Sequence, residues 1–223
     1  LHRMKPANKR TVSAVLVALA VGYAVLRYHV IKGVPWSNFP LFILNKGLSL
    51  SAVFLIAVSY TLGHLSRFFP KTFTPWLSMR KYLGLFGFGL AAVHALMSLL
   101  LLSAAYYPKF FEENGKLNLV GELSLLFGVV SFSVFSIVAI TSIPSVEKEM
   151  DKNKWLKVQR MGYLAFTSVG LHVLIMGLAG WLTPKTWPGG LLPVSLVAFI
   201  VIAITILLKM ITSMLPKTGA SNR

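Results

Sequence analysis

The chain has 223 residues, of which 56% are hydrophobic and 13% are charged, and its formal net charge is +16. A soluble domain carries about a quarter charged residues, so this composition favours an integral membrane protein. The sequence contains no cysteine, which excludes disulfides, thiolate metal sites, iron–sulfur ligation and covalent c-type haem attachment.

Six apolar stretches are long enough to cross a bilayer, which takes about 20 residues per helix. The sequence therefore predicts an all-α integral membrane protein, a bundle of six transmembrane helices formed as a single domain over residues 1–223. The first stretch follows basic residues as a signal peptide does, but it is too long and lacks a small-residue cleavage site. The predicted spans cover about residues 11–28, 42–65, 82–106, 119–143, 155–182 and 191–210.

Most of the 22 lysines and arginines lie at the two ends and in alternate loops. The positive-inside rule therefore predicts that both termini are cytoplasmic, and the basic excess indicates topology rather than nucleic-acid binding. The residues on the predicted inner side are Arg3, Lys5, Lys9, Arg10, Arg67, Lys71, Arg80, Lys81, Lys148, Lys152, Lys154, Lys157, Arg160, Lys209, Lys217 and Arg223.

Ionisable side chains inside a span are costly and indicate functional sites. All six acidic residues lie in loops or at span ends, so the histidines are the candidates, with His2 in the N-terminal tail. His29 ends the first span at the outer surface, where an interfacial position is expected. His64 lies near the inner end of the second span. It is expected to reach the interface, and two alternatives stay open, namely ligation of a second haem and contact with a quinone headgroup.

His94 in the third span and His172 in the fifth are predicted to lie at the same depth. Each stands about 18 Å before the outer end of its span, at Tyr106 and Pro184 respectively, given a rise of about 1.5 Å per residue. Both helices run from the inside to the outside. Two imidazoles on facing helices are the axial ligands that a b-type haem needs from a protein. Zinc would need three or four ligands, and these spans offer no carboxylate or thiolate.

Small residues accompany both histidines at helical spacing. We expect them to leave a flat trough beside each imidazole, wide enough for a porphyrin; the alternative is that they only let helices pack closely. The stripe on the third span is Gly84, Gly87, Ala91, His94 and Ser98, and the stripe on the fifth is Ala165, Ser168, His172, Met176 and Ala179.

Four basic residues cluster at the inner ends of the same two spans: Arg80, Lys81, Lys157 and Arg160. They suit a flavin phosphate such as that of FMN, a quinol or an anionic donor protein, and the alternative is plain anchoring at the inner surface. The sequence has no nucleotide-binding fingerprint. It therefore predicts a separate electron donor.

Two segments carry a resemblance to a known family. They are the run from Arg80 to His94 and the pattern W-x3-[HQ]-x3-Y-L-x7-H, formed by Trp155, Gln159, Tyr163–Leu164 and His172. Both resemble the ferric-reductase-like transmembrane domain and look closest to its MsrQ (YedZ) type of haem-binding membrane subunit. The resemblance implies that His94 and His172 are haem ligands on the third and fifth spans. Gln159 replaces a histidine implicated in haem binding in that type, so a second, inner haem would need another ligand, such as His64.

The sequence thus predicts a b-type haem protein that conducts electrons across the bilayer, as the electron-transfer subunit of an oxidoreductase rather than a complete enzyme. The expected donor is cytoplasmic, or a quinol or flavin in the membrane, and the expected acceptor lies at the outer face. The expected partners are the lipid bilayer and a donor or acceptor protein, and the expected location is the bacterial inner membrane. Two alternatives remain: an accessory haem subunit of a larger complex, and a haem-free structural or transport bundle.

Overall fold

The computed structural model describes residues 8–215, except for the side chain of Leu41. Over this range the chain forms helices and no β-strand. His2, Arg3, Lys5, Lys217 and Arg223 lie outside the described residues. The α-helices are α1 (Lys9–Ala24), α2 (Asn45–Phe68), α3 (Pro70–Phe73), α4 (Arg80–Leu100), α5 (Leu119–Ile140), α6 (Pro144–Glu149), α7 (Lys152–Trp181) and α8 (Val194–Met214).

Within residues 8–215, six helical segments are long and apolar enough to cross a membrane, which confirms the predicted six-helix bundle. They contain α1, α2, α4, α5, α7 and α8, whereas α3 and α6 are short helices within loops. We call the side on which α1 begins and α8 ends the terminal side, and the opposite side the far side. The assignment of the terminal side to the cytoplasm stays a prediction.

The third spanning helix ends earlier than the sequence predicts. α4 stops at Leu100 instead of continuing to Tyr106, and the chain then turns, with the backbone N–H of Tyr107 donating to the carbonyl of Ser103. Further on, Pro108 keeps Tyr107 out of the helical conformation, which is disfavoured for the residue before a proline; Tyr107 has φ −128° and ψ 57°. His94 therefore lies six residues before the end of its helix.

α2 is the central helix of the bundle, with more of its length buried than any other described span. It packs against α1, α4 and α8, while α7 packs against α5 and α8. The core combines apolar side chains of α2, α7 and α8, including Leu50, Phe166 and Ile202. Glycines allow the close approaches: the hydroxyl of Tyr60 on α2 occupies the place that a Cβ of Gly162 on α7 would take.

Two π-helical segments lie on the far side, Val25–Ile31 at the end of the first span and Phe39–Leu44 at the start of the second. In a π-helix each N–H bonds the carbonyl five residues earlier, instead of four as in an α-helix, and such segments are frequent at functional sites. The second segment changes to α-helix at Asn45. It therefore sets the direction in which the first side chain of α2 points.

Candidate functional site

His94 is held by a side chain of the neighbouring helix. Its Nδ1 lies 2.7 Å from Oδ1 of Asn45, the first residue of α2, and 3.4 Å from Oγ of Ser98, one turn along α4. Asn45 is 3% exposed. Because the amide oxygen of Asn45 only accepts hydrogen bonds, Nδ1 of His94 carries the proton and donates it to Asn45.

His172 is held by main chain. Its Nδ1 lies 2.7 Å from the carbonyl oxygen of Ser124 on α5 and 3.2 Å from Oγ of the same residue. A Cβ at Gly128, one turn further along α5, would lie 3.2 Å from Nδ1 of His172, so the absence of a side chain there makes room for the ring. A carbonyl oxygen cannot donate, so Nδ1 of His172 is also the protonated nitrogen.

The two imidazoles share a tautomer and lie in the same part of the bundle. Neither Nε2 is hydrogen-bonded to a residue of the described chain. A neutral imidazole protonated on Nδ1 has its lone pair on Nε2, which is the arrangement of a metal-ligating histidine whose other nitrogen donates to an oxygen. Asn45 and Ser124 lie at the first and sixth residues of helices that begin on the far side. Both histidines are therefore in the far-side part of the bundle.

Gly87, one of the small residues predicted to form a trough beside His94, packs closely on α2. It is buried, and a Cβ there would lie 2.8 Å from Cγ1 of Ile56 and 3.2 Å from the carbonyl of Ala52. This contact favours the alternative for Gly87, namely close packing of α4 on α2, and the trough stays a prediction. Ser98 accepts a hydrogen bond from Asn45 Nδ2 at 3.1 Å.

The other members of the two stripes are spread over different surroundings. Gly84 faces Ser59 of α2, whose Oγ would lie 3.3 Å from a glycine Cβ, and it also lines a cavity described next. Ala91 is half-buried on α4. Ser168 is buried on α7, one helical turn before His172. The stripe on α7 thus keeps a buried small side chain beside its histidine.

A cavity of about 550 Å³ lies on the terminal side of the histidines. It is lined by residues of α2, α4, α5, α6 and α7, so α4 and α7 face each other across it. Its walls combine cations with aromatic rings and small polar groups. They include Ser59, Tyr60, Arg80, Lys81, Gly84, Phe88, Phe135, Glu147, Trp155, Gln159, Arg160 and Tyr163.

The polar groups of this cavity are partly engaged with the protein. Nε of Arg80 donates to the carbonyl of Ser59 at 2.8 Å, and Lys81 forms an ion pair with Glu147 of α6. The amide nitrogen of Gln159 lies near three oxygens at the end of α5, including Oγ of Ser142 at 3.1 Å. Arg160 is exposed at the edge of the cavity. The site can therefore receive an anionic group at its rim and an aromatic one inside.

Residues 47–171, more than half of the chain, match the family described as ferric reductase like transmembrane component. The chain belongs to this family. The matched range contains His64 and His94 and ends one residue before His172, while Asn45 precedes it. Membership supports a transmembrane electron-transfer domain, and the closer likeness to the MsrQ type stays a prediction.

Known relatives carry the name metalloreductase. The chain is 31% identical over 166 residues to Metalloreductase STEAP2 of Mus musculus and of Homo sapiens, and 27% identical over 166 residues to Metalloreductase STEAP3 of Rattus norvegicus. Each alignment covers 63% of this chain and 34% of the relative. The chain thus spans about a third of the length of the curated relatives that it matches.

His64, expected from the sequence to reach the interface, is buried between helices. It is 8% exposed, and its Nε2 lies 2.7 Å from the hydroxyl of Tyr163 on α7 while its Nδ1 lies 2.8 Å from Oγ1 of Thr212 on α8. Both ring nitrogens are thus engaged with neighbouring helices. His29, in contrast, is at the far side, where Nδ1 lies 2.8 Å from the carbonyl of Val34 and the ring contacts Trp36.

Sequence reasoning missed the two residues that hold the imidazoles in this member of the ferric reductase-like family. Asn45 had a signal, because it is the only amide side chain in the second span and buried amides in membranes need partners. Ser124 acts through its main-chain carbonyl. Every residue has such a group, so no residue type could have pointed to that position.

Proposed function

We propose that this chain is a b-type haem electron-transfer domain, with one haem bound by His94 and His172. The observation that carries the proposal is the pair of imidazoles in the far-side part of the bundle, each with Nδ1–H donated to an oxygen and Nε2 left with its lone pair. Two nitrogen donors suit haem iron, which takes its other four ligands from the porphyrin. Bound between two neutral imidazoles, haem iron exchanges single electrons.

The protein's own contribution is to fix the two rings before the ligand arrives. Asn45 and the carbonyl of Ser124 select the Nδ1–H tautomer and orient each ring, which supports ligation through Nε2. Gly128 leaves space for the ring of His172. The ring of Phe88 on α4, which also lines the cavity, stacks on that of Phe132 on α5, with centroids 5.6 Å apart. Along α4, Phe88 lies between Arg80 and His94, so this pair places apolar surface between them.

We assign the cavity to the electron donor, either a flavin such as FMN or a quinone. Arg80, Lys81 and Arg160 suit a phosphate or a quinone oxygen, since cations form the stronger, charge-assisted hydrogen bonds. Tyr60 and Tyr163, whose ring centroids are 4.5 Å apart, offer aromatic surface to a planar ring. A second haem at this level lacks support, because both nitrogens of His64 are engaged and the Gln159 amide nitrogen is bound to α5.

The proposed direction is from a cytoplasmic or membrane donor on the terminal side to an acceptor on the far side. The relatives' name, metalloreductase, makes metal ions one class of acceptor, and an acceptor protein is the other. The basic residues of the terminal side support a cytoplasmic location for both termini. The MsrQ-type resemblance supports the bacterial inner membrane. An accessory haem subunit without turnover of its own has the same site, and co-purifying proteins would distinguish it.

The visible spectrum of the detergent-purified protein tests the haem proposal. The wild type, expressed with haem supply, is expected to show an α-band after reduction by dithionite, with one haem per chain. His94→Ala and His172→Ala are each expected to abolish the band, because each removes one axial ligand. His29→Ala is the matched control, since this histidine is held at the far surface. A wild-type protein without the band would sink the proposal in favour of a haem-free bundle.

A further inference from the structure

The two candidate haem ligands differ in what holds them. His172 donates to the main-chain carbonyl of Ser124, and any residue substituted at position 124 would keep that acceptor. His94 donates to the side chain of Asn45, at 2.7 Å. The hydrogen bond at Nδ1 thus depends on the type of residue 45 for His94, whereas for His172 it depends on a backbone carbonyl.

Asn45 is itself held so that only its oxygen faces His94. Its Nδ2 donates to Oγ of Ser98 at 3.1 Å and lies 3.5 Å from the hydroxyl of Tyr107. These contacts fix the side-chain amide, because a flipped amide would direct its two N–H groups toward the Nδ1–H of His94. The change from π-helix to α-helix at this residue brings the buried amide to the face of α2 that meets α4.

We propose that Asn45 is a positioning residue that tunes the reduction potential of the haem through His94; this inference rests on the proposed haem function. Donation of Nδ1–H to Asn45 leaves more electron density on Nε2, which makes the imidazole a stronger ligand. A stronger nitrogen donor stabilises ferric more than ferrous iron and lowers the potential. Asn45 acts on the iron only through the imidazole.

The test is a redox titration of Asn45→Leu and Asn45→Asp, followed at the α-band. Leucine has a similar size and accepts no hydrogen bond, so the midpoint potential is expected to rise. A tenfold change in the ferric-to-ferrous affinity ratio, within the range known for partners of metal ligands, equals about 59 mV for one electron. Aspartate keeps an acceptor oxygen in the same place and adds negative charge, so the potential is expected to fall below that of the wild type.

Ser51→Ala is the matched control, because it removes a buried hydroxyl of α2 that bonds only within its own helix, to the carbonyl of Gly47. Its potential is expected to equal that of the wild type. The electron paramagnetic resonance spectrum of the ferric protein is a second readout, since a change of axial donor strength shifts its g-values and a merely structural role for Asn45 does not.

The outcomes separate the inference from the haem proposal. A wild-type protein that binds no haem overturns the proposed function itself. A wild-type α-band together with unchanged potentials and g-values in both Asn45 variants overturns the role of Asn45 alone. If Asn45→Leu fails to fold, Asn45→Asp and Ser98→Ala decide. Ser98→Ala frees the Asn45 amide from one of its partners. It is expected to raise the midpoint potential by less than about 59 mV, the equivalent of a tenfold affinity ratio. Unchanged values in both would contradict the inference.

Discussion

His64 joins three helices through one imidazole ring. Its Nε2 accepts from the hydroxyl of Tyr163 on α7, and its Nδ1 donates to Oγ1 of Thr212 on α8. Oγ1 of Thr212 in turn donates to a backbone carbonyl of its own helix, that of Leu208 at 2.9 Å. The chain of hydrogen bonds is thus complete without any ligand. At this residue the sequence indicates a buried ionisable group, and only the geometry distinguishes a structural link from a metal ligand.

Replacing His64 by alanine is expected to lower stability and leave the haem band intact. The substitution removes both interhelical hydrogen bonds and leaves a void, so we expect a loss of about 1–3 kcal/mol. Thermal unfolding in detergent measures the loss, and the dithionite-reduced spectrum measures the haem. His64→Gln, which keeps hydrogen-bonding capacity, serves as the control. Its stability is expected to lie between that of the wild type and that of His64→Ala. A folded His64→Ala protein without the band would make His64 a ligand after all.

The residues of the candidate site were predictable from the sequence to different degrees. His94 and His172 follow from hydropathy and helical rise, since few ionisable groups lie so deep in a span. The partners of the rings do not follow. Whether Asn45 faces α4 depends on the π-helical turn before it, and the contribution of Ser124 is a main-chain atom. For Gly87 the sequence pattern suggests a role that its contacts do not support. Its spacing from His94 places it on the same stripe, but it packs on α2.

At the scale of the helix, two glycines of α4 make a matched pair. A Cβ at Gly87 would lie 2.8 Å from Ile56 Cγ1, whereas a Cβ at Gly89 would meet nothing within 4 Å. Gly87→Ala is therefore expected to destabilise the protein by about 1–3 kcal/mol through overpacking. Gly89→Ala is expected to be neutral or to stabilise by about 0.5–1 kcal/mol, because alanine is the better helix former. Thermal unfolding of both variants checks this; equal effects would contradict the close packing of α4 on α2.

The number of spanning helices was predictable, and their ends were less so. Apolar length alone gives six spans. The apolar run of α4 continues past Leu100 through Leu102, so hydropathy cannot place its end. That end depends on the following loop, which packs back on α5: a Cβ at Gly121 would lie 2.6 Å from the carbonyl oxygen of Phe110. The π-helical segments are equally invisible to hydropathy, since they change the hydrogen-bonding register and leave the composition of the helix unaltered.

Across the whole molecule, the candidate haem ligands and the cavity lie at different levels of the bundle. The histidines are in the far-side part, and the cavity, with Arg80, Lys81 and Arg160 among its lining residues, is toward the terminal side. The proposed electron path therefore runs along the gap between α4 and α7. Such a separation of the proposed donor site from the candidate haem ligands is what a transmembrane electron conductor requires.

FMN binding tests the assignment of the cavity. Arg160→Gln is expected to weaken FMN binding about tenfold, because a partly solvated contact between guanidinium and phosphate is lost, and the affinity of the wild type is expected to fall at high salt. Quenching of FMN fluorescence on titration with the purified protein gives the dissociation constant. Lys157→Gln is the control, being an exposed cation of the same helix outside the cavity lining. Equal weakening by both variants would indicate general attraction to the basic surface.

The pairing of helices has a consequence for biosynthesis. α4, with His94, packs on α2, which carries the partner Asn45. α7, with His172, packs on α5, which carries the partner Ser124. A chain is made from its N-terminus, so the first half of the site is finished while the ribosome still holds the second. A cofactor that needs both imidazoles is then acquired only after the fifth span has been inserted. A nascent chain arrested before α7 accordingly contains only half of the candidate site. Any machinery that delivers such a cofactor would act after α7 has been inserted.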